Sequence, residues 1–274
     1  MNLPRRSVVL TIALAIGLLG SVGLAQADDI AWKAAHDTDP HLALTAQQLA
    51  VMAGKRAAET PSGSAVPSSF LVAYSECGNC TGGGTSYPSS ASLVANQTPQ
   101  TTSYYCGPAS VHEALDALGV SLSQSAAAVA LHTTAEGTAW SGGGTSPSSY
   151  PIPDVLNAYQ GRNNYIPQPV ASPTTSAIKT YQSDLEMDIY ALRVPLIGNA
   201  WETPTGYHLV GHPTNRQIFH WFEIRGYGSS GASTMYEDSV HGASSISWSA
   251  SVPAYSTLPS SQIVSIVSGR GYVW

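Results

Sequence analysis

The spacing of apolar residues changes once along this 274-residue chain, and that change constrains the fold more than any other feature. Val111, Ala114, Leu115 and Leu118 fall on one face of a helix predicted over 106–119, with Pro108 in its first turn and Gly119 to end it. Further helices are expected near 123–131, 152–159 and 176–192, and an apolar strand at 194–200. The last third then switches to a period of two. His220-Trp221-Phe222-Glu223-Ile224-Arg225 and Thr234-Met235-Tyr236-Glu237-Asp238 alternate as strands do, with 226–231 as the turn between them. Helices first and strands last predict an α+β architecture.

The N-terminus reads as an address. Arg5 and Arg6 precede an apolar run over 8–24, and Ala25-Gln26-Ala27 fits a small-x-small cleavage site, so 1–27 is expected to be a secretory signal peptide. Residues 28–95 form an N-terminal extension. Its first half is helical by pattern, with Thr45 as an N-cap. From Thr60 to Asn96 the composition turns to Ser, Gly, Pro and Thr, including Gly82-Gly83-Gly84, with a strand expected at 70–74. This extension is either a pro-segment that occludes a groove or a spacer. The main domain is expected over 96–274.

Charge narrows the partners. Apolar residues at 43% suffice for a core, while charged residues make up only 10%. Without Arg5 and Arg6, nine of the 11 basic residues face 17 acidic ones, a net of −8. A chain with no basic stripe is a poor match for nucleic acid or anionic lipid. Past residue 27 no apolar stretch is long enough to cross a bilayer, so an exported protein without a membrane anchor is expected.

An oxidising destination gives three cysteines different meanings. Cys77-Gly-Asn-Cys80 is expected to pair locally as a disulfide. A zinc set with His208 and His212 is the lesser alternative. Either leaves Cys106 as an odd thiol at the first residue of the best helix, where unpaired N–H groups and the macrodipole favour a thiolate. The missing side chain of Gly107 leaves room beside the sulfur. A nucleophilic thiol needs a base, and His220, at the start of a strand, is the best placed. Asp238 on the next strand would orient it, while Glu237 points to the opposite face. Gln100, six residues before the thiol, would join the Cys106 N–H as an oxyanion donor.

Gln100-Thr-Thr-Ser-Tyr-Tyr105-Cys106-Gly107-Pro108-Ala109-Ser110, followed by a helix ending Leu118-Gly119, resembles the active-site helix of papain-like cysteine peptidases. The branch most similar is the secreted, stand-alone form of the bacteriocin-processing, double-glycine-leader peptidases. His220 followed by apolar residues and Gly226-Tyr227, and Tyr236-Glu237-Asp238, resemble that family's two site strands, although Ser239 stands where the family often has Pro. The resemblance covers about residues 96–245. It implies a papain-like fold with the Cys on an N-terminal helix and the His and Asp on a C-terminal antiparallel sheet. It also implies amide hydrolysis of a peptide or protein substrate with no cofactor or metal. Cys106 would be the nucleophile, His220 the base, Asp238 its orienter and Gln100 the oxyanion donor. Two other readings are a secreted binding module that keeps the fold without turnover, and a transglutaminase-like acyl transferase.

Overall fold

The structure is a computed structural model that describes residues 29–37, 39, 42–59, 87–142 and 149–274. The expected signal peptide, the strand expected at 70–74 and the Cys77–Cys80 pair lie outside these residues. Two helices come first, α1 over 29–36 and α2 over Ala46–Glu59. Thr45 caps α2 as expected, its Oγ1 accepting from Gln48 N–H at 3.1 Å. The Gln48 side chain accepts from Thr45 N–H in return, at 2.9 Å. The short strand β1 (Ala91–Ser92) leads to helices α3 (Cys106–Ala117), α4 (Gln124–Ala130) and α5 (Pro151–Gln160).

After β2 (Pro167–Pro169), the helix expected over 176–192 is two objects. Regular α6 ends at Glu186, and a π-helical turn, Met187–Leu192, follows and stops at Arg193 with φ of +57°. Then come β3 (Leu196–Glu202), β4 (Ile218–Gly228), β5 (Ser233–Glu237), β6 (Tyr255–Pro259), α7 (Ser260–Val267) and β7 (Gly271–Val273). The protein is α+β, with an antiparallel sheet in the order β2-β7-β3-β4-β5-β6 and β1 on the far half of β4. The turn between β4 and β5 is tighter than expected, because β4 runs on through Gly226 to Gly228. Ser229, Ser230 and Gly231, all at positive φ, make the reversal.

Helices cover both faces of the sheet, so alternate residues of the central strands feed two separate cores. Trp221, Ile197 and Val273 pack with α3, α4 and α5. Phe222, Leu196 and Tyr272 pack on the other face with α6, α7 and the π-helical turn. Burial on both faces explains why β3 reads as a continuous apolar run rather than an alternation.

The N-terminal helices are fastened to this body by buried charges. Lys33, 2% exposed, pairs with Asp29 at 3.3 Å and donates to Ser265 O and Ser268 Oγ of the α7 end. Lys55, 1% exposed, meets Asp188 of the π-helical turn at 2.9 Å and lies over the Trp274 ring. Arg56 pairs with Asp184, and Arg270 with Asp37 and Asp39. Burial lowers the pKa of both lysines, and the carboxylates beside them oppose that shift. A charge left in such a place without its partner is costly, so each pair acts as a latch.

Between α3 and the β4–β5 pair lies a second buried group, Glu113, Glu223 and Glu237, all 0% exposed. Glu223 and Glu237 face each other across the strands. Glu113 accepts Thr98 N–H at 2.7 Å, but as carboxylates Glu223 and Glu237 find no donor among the described residues. Burial therefore raises all three, the other carboxyls nearby add to the rise at Glu113 and Glu223, and Arg225 opposes it at Glu223 and Glu237. Acids raised in the folded state stabilise it below their unfolded pKa, and that stabilisation is lost as pH rises through the folded values. Glu237→Gln removes one such proton. Its melting temperature relative to wild type should climb as pH rises from about 5 to about 8. A difference that stays level across this range in parallel thermal melts would contradict the raised pKa of Glu237.

Candidate active site

Cys106 opens α3 because Pro108 tolerates a first-turn position and Gly107 permits close packing there. No side chain caps this helix, so its first N–H groups stay available to the sulfur. Cys106 is a free, buried thiol. A hydrogen bond to His220 reaches it, as do the backbone N–H groups of Trp221 and Gly107. Burial pushes the thiol up, but the imidazole and these donors outweigh it, and the net shift is down. The sequence predicted open space for a substrate beside Gly107, but Thr138 fills it. A Cβ there would lie 2.3 Å from Thr138 Oγ1, so glycine serves to seat the 133–140 loop on the start of α3.

His220 is near the beginning of β4 and only 3% exposed. Its Nε2 lies 3.0 Å from Asp238 Oδ1, close enough for an ion pair though off the line of a directed hydrogen bond. Burial lowers the imidazole, but Asp238 and Cys106 raise it further, to well above the ordinary histidine value. Asp238 is the first residue beyond β5 and is held there by its own N–H to Ala254 O and by Val240 N–H to Oδ1 at 2.9 Å. Burial would raise this carboxyl, but His220 and His212 drive it far down. Glu237 points the other way, into the acidic group under α3, as strand alternation requires.

Gln100 lies at the same cleft. Its amide donates to Thr102 O at 2.7 Å, its Oε1 accepts from Ser239 Oγ, and its backbone N–H bonds Ser239 O. Ser239, which stands where the resembled family often has Pro, thus ties the Asp238 segment to the Gln100 loop. Two cavities meet at the thiol. One of about 520 Å³ contains Cys106 and His220 with Tyr104, Thr138, Asn199 and Arg270; another of about 270 Å³ contains Gln100, Cys106 and His220 with Phe219 and Trp248. Cys106 and His220 therefore sit at the waist of a cleft that extends to both sides.

Behind Asp238 the structure places residues that the sequence reading did not assign to this site. His212 Nε2 meets Asp238 Oδ2 at 2.9 Å, and its Nδ1 meets the Glu202 carboxylate at 2.9 Å. Glu202 also accepts His208 Nδ1 at 2.9 Å and Leu209 N–H at 2.8 Å. The His208-Leu-Val-Gly-His212 spacing had suggested zinc, but both nitrogens of each ring are taken by carboxylates or by Thr203 O. His212, His220 and Asp238, and likewise Glu113, Glu223 and Glu237, are close enough to share an ion. The histidine set offers no free nitrogen lone pair, because its rings already face acceptors, while burial raises the glutamate carboxyls and disfavours their binding as carboxylates. His112, the nearest histidine in sequence, is turned away and bonds Leu122 O.

The chain matches no protein-family model, no curated protein and no solved structure. Its chemistry therefore rests on the geometry above.

A low-pKa thiol paired with an imidazolium alkylates quickly well below the ordinary thiol range. Iodoacetamide should label Cys106 at a rate that holds from about pH 8 to about pH 5 in wild type. In His220→Ala the profile should rise only near the ordinary thiol pKa of about 8.5. Identical profiles in the two proteins would break the pair. Gly107→Ala should cost about 1–3 kcal/mol through its clash with Thr138. Adding Thr138→Gly should restore part of this in urea denaturation, and an additive double variant would mean the contact is not tight.

Proposed function

We propose that the protein is an exported cysteine peptidase of papain-like fold. The observation that carries this reading is the line from Cys106 through His220 to Asp238 at the waist of a two-sided cleft. Papain-like organisation is supported by the thiol at the N-terminus of α3 and by the imidazole on β4, against which α3 packs. A cleft open on both sides of the thiol suits an extended peptide better than a small closed substrate.

In this reaction the Cys106 thiolate attacks the scissile carbonyl carbon, and the carbonyl electron pair moves onto oxygen. Gln100 Nε2 and the Cys106 N–H receive that oxyanion. As the tetrahedral intermediate collapses, the C–N bond breaks and His220 imidazolium gives its proton to the leaving amine. Neutral His220 then takes a proton from water, whose oxygen attacks the thioester. Collapse releases the carboxylic acid and re-forms the Cys106 thiolate, and the proton taken from water stays on His220 as the imidazolium of the starting pair. Asp238 holds the ring in orientation and stabilises its positive charge throughout. A module that only binds ligands gains nothing from a buried thiol aimed at an imidazole.

The test is hydrolysis of a mixed peptide library read by mass spectrometry. New termini should appear with wild type and fall by about a thousandfold or more in Cys106→Ala. Undiminished cleavage by that variant, or no cleavage of any peptide by wild type, would overturn the proposal.

A further inference from the structure

Six ionisable side chains stand in line across this site: Cys106, His220, Asp238, His212, Glu202 and His208. The hydrogen-bond partners fix their protonation. His208 faces the Glu202 carboxylate with Nδ1 and the Thr203 carbonyl, which can only accept, with Nε2. A neutral ring would put a lone pair against one of these acceptors, so His208 is an imidazolium. His212 lies between two carboxylates, Glu202 on Nδ1 and Asp238 on Nε2, and the same argument makes it an imidazolium. From Asp238 outward the line therefore alternates as carboxylate, imidazolium, carboxylate, imidazolium, and the proposed thiolate–imidazolium pair of Cys106 and His220 continues the alternation.

The groups facing His212 come from several elements. They are Glu202 from β3, Asp238 beyond β5, the His220 ring of β4 at a centroid distance of 5.3 Å, the His208 charge from its own loop, and the uncharged Trp248 ring at 4.8 Å. His212 is 5% exposed, so water screens these charges little. Its positive charge partly cancels Asp238 and repels a positive His220. It also adds to the positive field that favours the thiolate.

We propose that His212 and Glu202 are positioning residues of the thiol site: His212, kept positively charged by Glu202, pins the second oxygen of Asp238 and sets the Cys106–His220 pair to work at a lower pH than the triad would reach by itself. The inference rests on the proposed thiol chemistry and deepens it, since it assigns the site's pH range to two residues that touch neither substrate nor sulfur. Burial opposes the charge on His212, but the two carboxylates outweigh it and raise its pKa, which agrees with the geometry.

The test uses the full chain and iodoacetamide as the probe of Cys106, with alkylation rate followed against pH in wild type, His212→Asn, Glu202→Gln and Glu202→Asp. Removing the His212 charge, directly or by withdrawing its carboxylate, should move the inflection for thiolate formation upward by about one pH unit. Glu202→Asp retains a carboxylate and should recover much of the wild-type position. A second readout needs no variant to fold: nitrogen NMR of histidine-labelled wild type should show His212 protonated on both ring nitrogens at about pH 8. In His212→Asn the titration of His220 should move upward as well. A merely structural loosening would instead move it down, by weakening the Asp238 contact.

Variants whose inflection is unmoved beside a fast, acid-persistent wild type would overturn this inference and leave the thiol reading standing. A neutral His212 at about pH 8 would do the same. A wild type with an ordinary thiol profile would overturn both.

Discussion

Asp238 is the interaction on which the rest of the site depends. It is a carboxylate 1% exposed, and it stays ionised because an imidazole stands against each of its oxygens. Burial alone would protonate it, and a protonated Asp238 would neither orient His220 nor stabilise its charge. The thiol at the head of α3 is coupled to the same charge through His220. The fold supplies this arrangement by ending β5 at Glu237, so that Asp238 falls where the chain leaves the sheet. The Ala254 carbonyl and the Val240 N–H then fix it there.

Glu237 and Asp238 are neighbours in sequence with opposite fates. Strand alternation sends Glu237 into a group of carboxyls without cations close enough to neutralise them all, and its pKa rises. Asp238 goes to the side with two histidines, and its pKa falls. The two shifts pull stability in opposite directions with pH. The raised glutamates favour acid conditions. The depressed Asp238 and Glu202 contribute stability that is lost as pH falls through their folded values.

Much of this was legible in the sequence, for physical reasons that can be named. The α3 helix was readable because Pro108, its apolar face and Gly119 agree with one another. Cys106 stood out because a helix N-terminus is a chemically distinct place for a thiol. His220 and Asp238 could be paired because adjacent strands bring alternate residues side by side. Other features were hidden because they depend on contacts distant in sequence. The π-helical turn at Met187–Leu192 carries Asp188 to Lys55, and nothing local distinguishes it from a continuing helix. Insertion of β7 between β2 and β3 is set by register alone. His212 and Glu202 were missed because an HxxxH spacing suggests a metal. Only the fold shows that each ring nitrogen faces an oxygen. Glu202 gave no signal beyond lying at the end of an apolar strand, a place where a buried carboxylate needs a partner.

In the proposed mechanism Cys106 and His220 rest as a thiolate–imidazolium pair before any substrate arrives. A difference ultraviolet titration of wild type against Cys106→Ser, which isolates the thiolate absorbance of this one sulfur, tests it most directly. A thiolate band should already be present at neutral pH and be lost only in acid, well below the ordinary thiol pKa of about 8.5. A band that emerges only as pH rises through about 8.5 would contradict it.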